Sequence, residues 1–436
     1  MIKEDNLNNI EGNVPIFKAL PFGLQHVLAI FIANIAPILL LLNNKEINTD
    51  QNLTRTIVQN SLFIAGIGTL IQLFPIWKVG SKLPIYVGIS FTYLSVLIYI
   101  GTRYGYNVII SSVLIGSIFM IVLSFFTKAI RKIVPSITSS IVVFMLGFSL
   151  ALSQVKELNI FNKSFYTYKN IIVLLTTIVT YIICTYCFNK KIKNFALLIS
   201  LIIGYVFSLI LGMIDYSVFN QLPIFTYPRI YNFKNIEFNI EAIISVCLIF
   251  LVSTTDVFGA IFALDIPDKD EEKSIPNGIC GIGVGSLISG IFGATPITPF
   301  IGNIGIVNNT KVVNRRALGL GAIILIIASF FPIFGAFAQS IPSTVVYVSM
   351  IILFVGIAIS GIKMIYACGI NKKNILVIAI TGIICIALYL LGTYVSSIPN
   401  ILKIIFTNVI ATSFLFSTII YYLIPGEKIL LEKNDK

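Results

Sequence analysis

The chain has 436 residues, of which 57% are apolar and only 11% charged, with a mean hydropathy of +0.96 and a formal net charge of +12. Soluble domains have about 45–50% apolar and about 25% charged residues, so a soluble enzyme, a disulfide scaffold, a coiled coil and a disordered chain are excluded. The basic excess points to the bilayer surface rather than to nucleic acid.

Residues 1–15 are polar and mixed in charge, with Lys3, Glu4, Asp5 and Glu11. No cleavable signal peptide is expected, and the first span is read as an uncleaved anchor. A spanning helix needs roughly 17–25 mostly apolar residues. Such runs start near Pro21, Ile57, Ile85, Asn107, Ile137, Asn170 and Phe195, and again near Ala242, Asn277, Phe300, Ala317, Val345, Ile375 and Ile401. The expected fold class is an all-α polytopic membrane protein of about fourteen spans, in two sets of seven.

The third run of each set is poor as a continuous helix. Leu83–Phe91 and Gly293–Asn303 carry Pro, Gly and Ser or Thr at membrane depth. Broken backbone of that kind is tolerated where it lines a cavity or meets a ligand. An odd number of spans per half predicts an inverted repeat, with the two broken segments at its centre. Alternating fourteen spans from an inside N-terminus places 21 of the 30 Lys and Arg on the inner side. Both termini are therefore expected in the cytoplasm, with a short charged tail after Pro425.

Of the acidic residues only Asp256, within Leu248–Leu264, falls in mid-span. A carboxylate there costs about 2.5–3.5 kcal/mol on insertion scales and usually marks a substrate, ion or proton site. The structural alternative is an Asp bonded to Ser253, Thr254 and Thr255. His26, the single histidine, follows Gln25 inside the first span. This pair reads equally as a proton partner and as an interhelical hydrogen-bonding pair. Asn34 is a weaker polar candidate on the same span. Gly281, Gly283, Gly285, Gly290 and Gly293 read as close helix packing. Cys184 and Cys187 have CxxC spacing but no second pair, and read as packing residues. Trp77 beside Lys78 reads as an interfacial helix end. No P-loop, Ser/His/Asp spacing or metalloprotease signature is present.

Four segments resemble the nucleobase–ascorbate transporter family, and within it the bacterial uracil and xanthine permeases. They are Leu24-Gln25-His26, Pro84–Phe91, Asp256-Val-Phe-Gly259, and Gly293–Gly305 followed by Asn314-Arg315-Arg316. The resemblance implies fourteen spans in a 7+7 inverted repeat, with short strands in broken spans three and ten. It implies a core domain from 1–135 and 240–338, a gate domain from 136–239 and 339–425, and a cytoplasmic tail at 426–436. The base would lie between spans three, eight and ten. It would meet Ser90, Phe91, Asp256, Phe300, Ile301 and Gly302, with backbone contacts at Phe91 and Ile301. Asp256, His26, Gln25 and Asn303 would couple the proton or support the site.

The chain also departs from the family pattern. Gly302 stands where many members carry Glu or Gln, Asp256 where Glu is usual, and Ala260 where uracil permeases carry His. The expected function is proton-coupled uptake of a nucleobase, a purine such as xanthine, urate or hypoxanthine, or uracil, by alternating access. The expected location is the bacterial inner membrane. No cofactor is expected; the proton gradient drives transport, with sodium as the alternative ion. The expected partners are a small nucleobase and the lipid bilayer, with no nucleic acid and a homodimer through the gate domain. The rival readings are a sulfate-permease-type anion transporter of the same fold, a membrane-embedded enzyme and a structural scaffold.

Overall fold

Apolar runs of membrane length leave no water to satisfy backbone groups, so they close their hydrogen bonds internally as helices. The computed structural model describes the chain except residues 1–5, 43, 45–46, 48–50, 159–165, 189, 194, 221, 267–268, 396–397 and 426–436. The tail expected at 426–436 lies outside the described residues. The elements run α1 (Ile16–Leu42), α2 (Gln51–Leu73), β1 (Val87–Ile89), α3 (Leu94–Tyr104), α4 (Tyr106–Phe125), α5 (Thr127–Ile133) and α6 (Ser136–Leu158). There follow α7 (Tyr168–Tyr186), α8 (Lys190–Lys193), α9 (Ala196–Ile210), α10 (Ile240–Ala263), α11 (Glu271–Ile291), β2 (Ile297–Pro299) and α12 (Ile301–Thr310). The last are α13 (Arg315–Ser329), α14 (Pro332–Ser340), α15 (Ser343–Ala367), α16 (Lys372–Tyr394), α17 (Asn400–Thr407) and α18 (Val409–Leu423).

Among the described residues, nine helices are long and apolar enough to cross a membrane. The pair α13 and α14 would make a tenth span, bent by 84° at its break. Each sequence-flagged break contains a strand: β1 falls inside Leu83–Phe91, and β2 inside Gly293–Asn303, whose last three residues begin α12. Short polar side chains cap several helix starts. Asn239 accepts from Ala242 N at α10, Asp270 from Lys273 N at α11, and Asn371 from Asn374 N at α16. Each cap satisfies a backbone donor left over at a helix start.

The chain divides into two compact units. The first holds residues 1–127 and 150–353. Within it α11 lies against α4 and α2, and α13 against α1 and α2. Glycines allow these approaches. A Cβ on Gly23 would lie 2.7 Å from Gly321 N, and one on Gly283 2.7 Å from Ile121 Cγ1. Gly281, Gly285 and Gly290 are as tightly enclosed, by Gln72, Ile297 and Leu114. Packing of small residues, rather than chemistry, is thus what the glycine run of α11 does. Gly293 ends that helix with φ +71°, a conformation a β-carbon disfavours.

The second unit holds residues 128–149 and 354–436. Ile137, Ile141, Val377 and Ile420 form its buried centre. Gly147 and Gly361 bring α6 and α15 into contact there, against Ala358 N and Phe144 N. All six cysteines are free thiols; Cys184 is buried and Cys187 exposed. Trp77 is 89% exposed.

Candidate functional site

The site region is built on a two-stranded ribbon inside the first unit. β1 and β2 pair antiparallel, with Val87 opposite Pro299, Gly88 opposite Thr298 and Ile89 opposite Ile297. Ser90 N donates to Pro296 O and Phe300 N to Tyr86 O, each at 2.9 Å, and these bonds extend the ladder. A lone ribbon has two open edges, and at membrane depth no water satisfies them. Polar side chains from neighbouring helices do so. Asn34 Oδ1 on α1 accepts from Ile89 N at 2.8 Å. Thr69 Oγ1 on α2 accepts from Val87 N at 3.1 Å. Ser286 Oγ on α11 accepts from Ile297 N at 3.1 Å. Asn34 is itself held by its amide, which donates to Ser61 O at 3.0 Å.

Each strand runs into a helix whose start has no side-chain cap. Tyr93 precedes α3 and Phe300 precedes α12, and neither makes a capping bond. Because the strands are antiparallel, the two helix starts lie at opposite ends of the ladder. First-turn N–H groups without a cap are directed at whatever occupies the adjoining space.

Asp256 joins this assembly from α10. Its Oδ2 accepts from Thr92 Oγ1 at 2.9 Å. Thr254 and Thr255 do not serve the carboxylate; their hydroxyls donate to Leu251 O and Val252 O at 2.7 Å. The hydrogen bond to Asp256 Oδ2 therefore comes from the β1–α3 link. Thr92 N in turn donates to Ser90 Oγ at 3.1 Å. Asp256 is only partly buried, between fully buried Thr255 and Val257.

The other sequence candidates fall into two groups. Ser90 and Phe91 follow β1, on the Thr92 side, and Phe300, Ile301 and Gly302 follow β2 at the opposite end of the ladder. Ser90 and Phe91 are buried, Phe300 and Ile301 half-buried, and Gly302 exposed. No atom lies within 4 Å of where a Gly302 Cβ would be. Gly88 is the reverse case: its Cβ would meet Phe300 Cε2 at 2.4 Å and Asn34 Oδ1 at 2.5 Å. His26, Gln25 and Asn303 form the second group. His26 is buried and stacks on Tyr86 with ring centroids 4.8 Å apart and planes 4° apart. Asn303 Nδ2 donates to His26 O at 3.3 Å, tying α12 to α1. Gln25 is half-buried. Among the described residues no hydrogen bond joins His26 or Gln25 to Asp256.

Thr92, Thr69, Ser286 and Tyr86 were not singled out from the sequence. A usable signal existed for two of them, since Thr69 and Ser286 are short polar residues inside apolar helices. Thr92 had none, because its importance depends on what α10 brings to it. Among the described residues no group of His, Cys, Asp and Glu could hold a metal ion.

Residues 17–393 match the Permease family of xanthine and uracil transporters. The xanthine permease XanQ of Escherichia coli K12 is 28% identical over 422 residues, covering 92% of this chain and 88% of XanQ. The uric acid permease PucK of Bacillus subtilis is 30% identical over 364 residues, covering 82% of this chain and 84% of PucK. Among solved structures, the transmembrane domain of the cyanobacterial bicarbonate transporter BicA matches with a TM-score of 0.54 at 14% identity. That match covers 95% of this chain and 100% of BicA's domain. The murine Slc26a9 anion transporter matches with a TM-score of 0.59 at 12% identity, covering 94% of this chain and 68% of that one. The two structural likenesses identify the fold alone. The sequence relatives identify the lineage: this chain belongs to the xanthine/uracil Permease family, and it is a multi-span membrane transporter rather than an enzyme.

Proposed function

We propose that the chain imports a nucleobase, a purine in preference to uracil, by proton-coupled alternating access across the bacterial inner membrane. The observation that carries this reading is the carboxylate of Asp256, held by Thr92 beside the uncapped start of α3. A neutral base brings no charge and no energy for uphill movement. Its ring N–H groups suit a carboxylate, and its carbonyl and ring acceptors suit backbone N–H groups near Phe91 and Ile301. A titratable group that bonds the base links its own proton to substrate occupancy. Sodium is the alternative coupling ion.

Phe300 would stack on the base, and Ser90 and Gly302 would border it. His26, stacked on Tyr86, and Asn303, bonded to the His26 carbonyl, would hold the wall of the site rigid, with Gln25 beside them. The open space at Gly302 favours a larger ring system. The xanthine and uric acid named for relatives fit that preference.

The order of elements supports fourteen spans in a 7+7 inverted repeat: two helices, a strand running into a short helix, then further helices, recurring from α10 onward. The antiparallel pairing of β1 with β2 is what opposite insertion of two repeats would produce. On this plan 1–135 and 240–338 move as the core against a gate of 136–239 and 339–425. Both termini lie in the cytoplasm, and two copies meet through their gates. The anion-transport reading is disfavoured by a carboxylate where an anion would sit.

The test is uptake of labelled xanthine, urate, hypoxanthine and uracil into cells lacking their own permeases. A protonophore and sodium replacement form separate arms. Purine accumulation that collapses with the protonophore supports the proposal. Sodium dependence would replace the coupling ion, and failure to carry any base would reject the substrate class.

A further inference from the structure

We propose that Asn60, on α2, is a positioning residue for the ribbon that reads the base, which rests on the assignment of the base site to β1, β2 and Asp256. Asn60 fixes the turn that feeds β2 by tying it to the connection between α9 and α10.

The turn between α11 and β2 depends on outside partners. Gly293 has φ +71°, so the helical ladder of α11 stops there. Carbonyls at a helix end have no intrahelical partner, and buried ones must find another. Three consecutive carbonyls are met by three different elements. Ile291 O accepts from Tyr231 N, in the α9–α10 connection, at 2.9 Å. Phe292 O accepts from Asn60 Nδ2 at 2.6 Å. Gly293 O accepts from the Tyr106 hydroxyl on α4 at 2.8 Å. Asn60 and Tyr106 are both buried. The first residue of β2, Ile297, follows four positions later.

Asn60 differs from the other two because its side chain holds two segments at once. Its amide also donates to Arg229 O at 2.8 Å, and its Oδ1 accepts from Arg229 N at 3.1 Å. The next residue serves the other strand. Ser61 O accepts from Asn34 Nδ2, and Asn34 Oδ1 accepts from Ile89 N in β1. Two successive residues of α2 therefore reach both strands, Asn60 through the turn before β2 and Ser61 through Asn34. The backbone at Phe300 and Ile301 follows β2, so the turn sets where those groups lie. Loss of the Asn60 donor leaves two carbonyls short of a partner.

Gln59 provides the contrast. Its Nε2 donates to Thr226 Oγ1 at 2.6 Å, and its Oε1 accepts from the same hydroxyl at 3.0 Å. These bonds fasten the α9–α10 connection without touching the turn. If the polar pair serves stability alone, both residues matter alike. If Asn60 positions the ribbon, their effects on binding separate.

The test compares the purified full chain in detergent with Asn60→Ala, Tyr106→Phe and Gln59→Ala. Hydrogen exchange without ligand reads the ribbon, and isothermal titration reads xanthine binding. Asn60→Ala should speed exchange at residues 294–300 and weaken xanthine binding, each about tenfold, the worth of one or two net hydrogen bonds. Tyr106→Phe removes only the bond to Gly293 O, and should act in the same direction by about threefold. Gln59→Ala should speed exchange at residues 224–228 and keep xanthine affinity within about twofold of the parent. Parental exchange at 294–300 in Tyr106→Phe and Asn60→Ala overturns the proposal. So does a Gln59→Ala protein that loses as much xanthine affinity as Asn60→Ala. Should Asn60→Ala fail to fold, Tyr106→Phe against Gln59→Ala decides. A parent that binds no xanthine would reject the substrate reading, while exchange at 294–300 still decides whether Asn60 positions the ribbon.

Discussion

Asp256 is engaged through one oxygen by a hydroxyl from a different element, and that asymmetry makes the residue testable. Asn in its place keeps the size and can still accept from Thr92, but it cannot titrate. Asp256→Asn should therefore insert and fold, yet lose accumulation of base against a gradient. Labelled uptake compared with substrate exchange in vesicles separates the two; equal accumulation by parent and variant would make the residue structural. Thr92 gives a finer test. Thr92→Val removes the donor to Oδ2 and keeps the shape, at a typical net cost of about 0.5–1.5 kcal/mol, or more where a buried charge is left short of a partner. Binding of the base should weaken roughly three- to thirtyfold, with Thr92→Ser close to the parent. Isothermal binding to purified protein measures it, and an unchanged Thr92→Val would detach Thr92 from the site.

Gly88, in the middle of β1, and Gly302, in the first turn of α12, show how the same residue type does opposite work. A β-carbon at 88 has no room between Phe300 and Asn34, so Gly88→Val should displace both and break the ribbon edge. Phe91→Ala should weaken binding less, by removing a buried wall. A β-carbon at 302 meets nothing. Gly302→Glu should thus be accommodated and change which bases compete against a labelled substrate. An identical rank order of purines and pyrimidines in parent and variant would mean that position 302 does not face the base. Sequence made both breaks visible, because Pro, Gly and Ser at membrane depth cannot belong to an ordinary spanning helix. It also marked Asp256, since an isolated mid-span carboxylate is costly. It could not reveal that the breaks pair with each other, because strand pairing between residues 87–89 and 297–299 is a long-range fact with no local signature. Of the edge-satisfying residues, the sequence marks Asn34 as a polar candidate on the first span, but not its role. Thr69 and Ser286 look like ordinary helix polar residues until the ribbon they serve is placed beside them.

At the scale of the whole molecule, the start of the chain is fastened to a turn more than 300 residues later. Buried Asn314 donates to Asn6 O, Asn9 O and Gly12 O at 3.1, 3.0 and 2.7 Å, while its own oxygen caps α13. Glu11 adds ion pairs to Lys82 at 2.7 Å and Arg315 at 3.0 Å, and Arg315 also reaches Leu73 O at 2.7 Å. This clasp fixes the turn that leads from α12, the helix bearing Gly302 and Asn303, into α13. Asn314→Ala strands three carbonyls and removes a helix cap, a loss of about 2–4 kcal/mol from the net worth of such bonds. Its melting temperature in detergent should fall by several degrees. Glu11 predicts the pH dependence. The hydrogen bond from Lys82, and then the charges of Lys82 and Arg315, hold its carboxyl below its ordinary value of 4.5. A depressed carboxylate stabilises the fold above its unfolded value and loses that contribution as pH falls through the folded one. The parent should consequently melt slightly above Glu11→Gln at pH 7, and the gap should close as pH falls below about 4.5. Because the Glu11 carboxylate is exposed, the gap should also narrow in high salt. Thermal melts of parent and variant across that range decide it: a gap that persists in acid would show that the substitution acts through something other than the carboxylate charge.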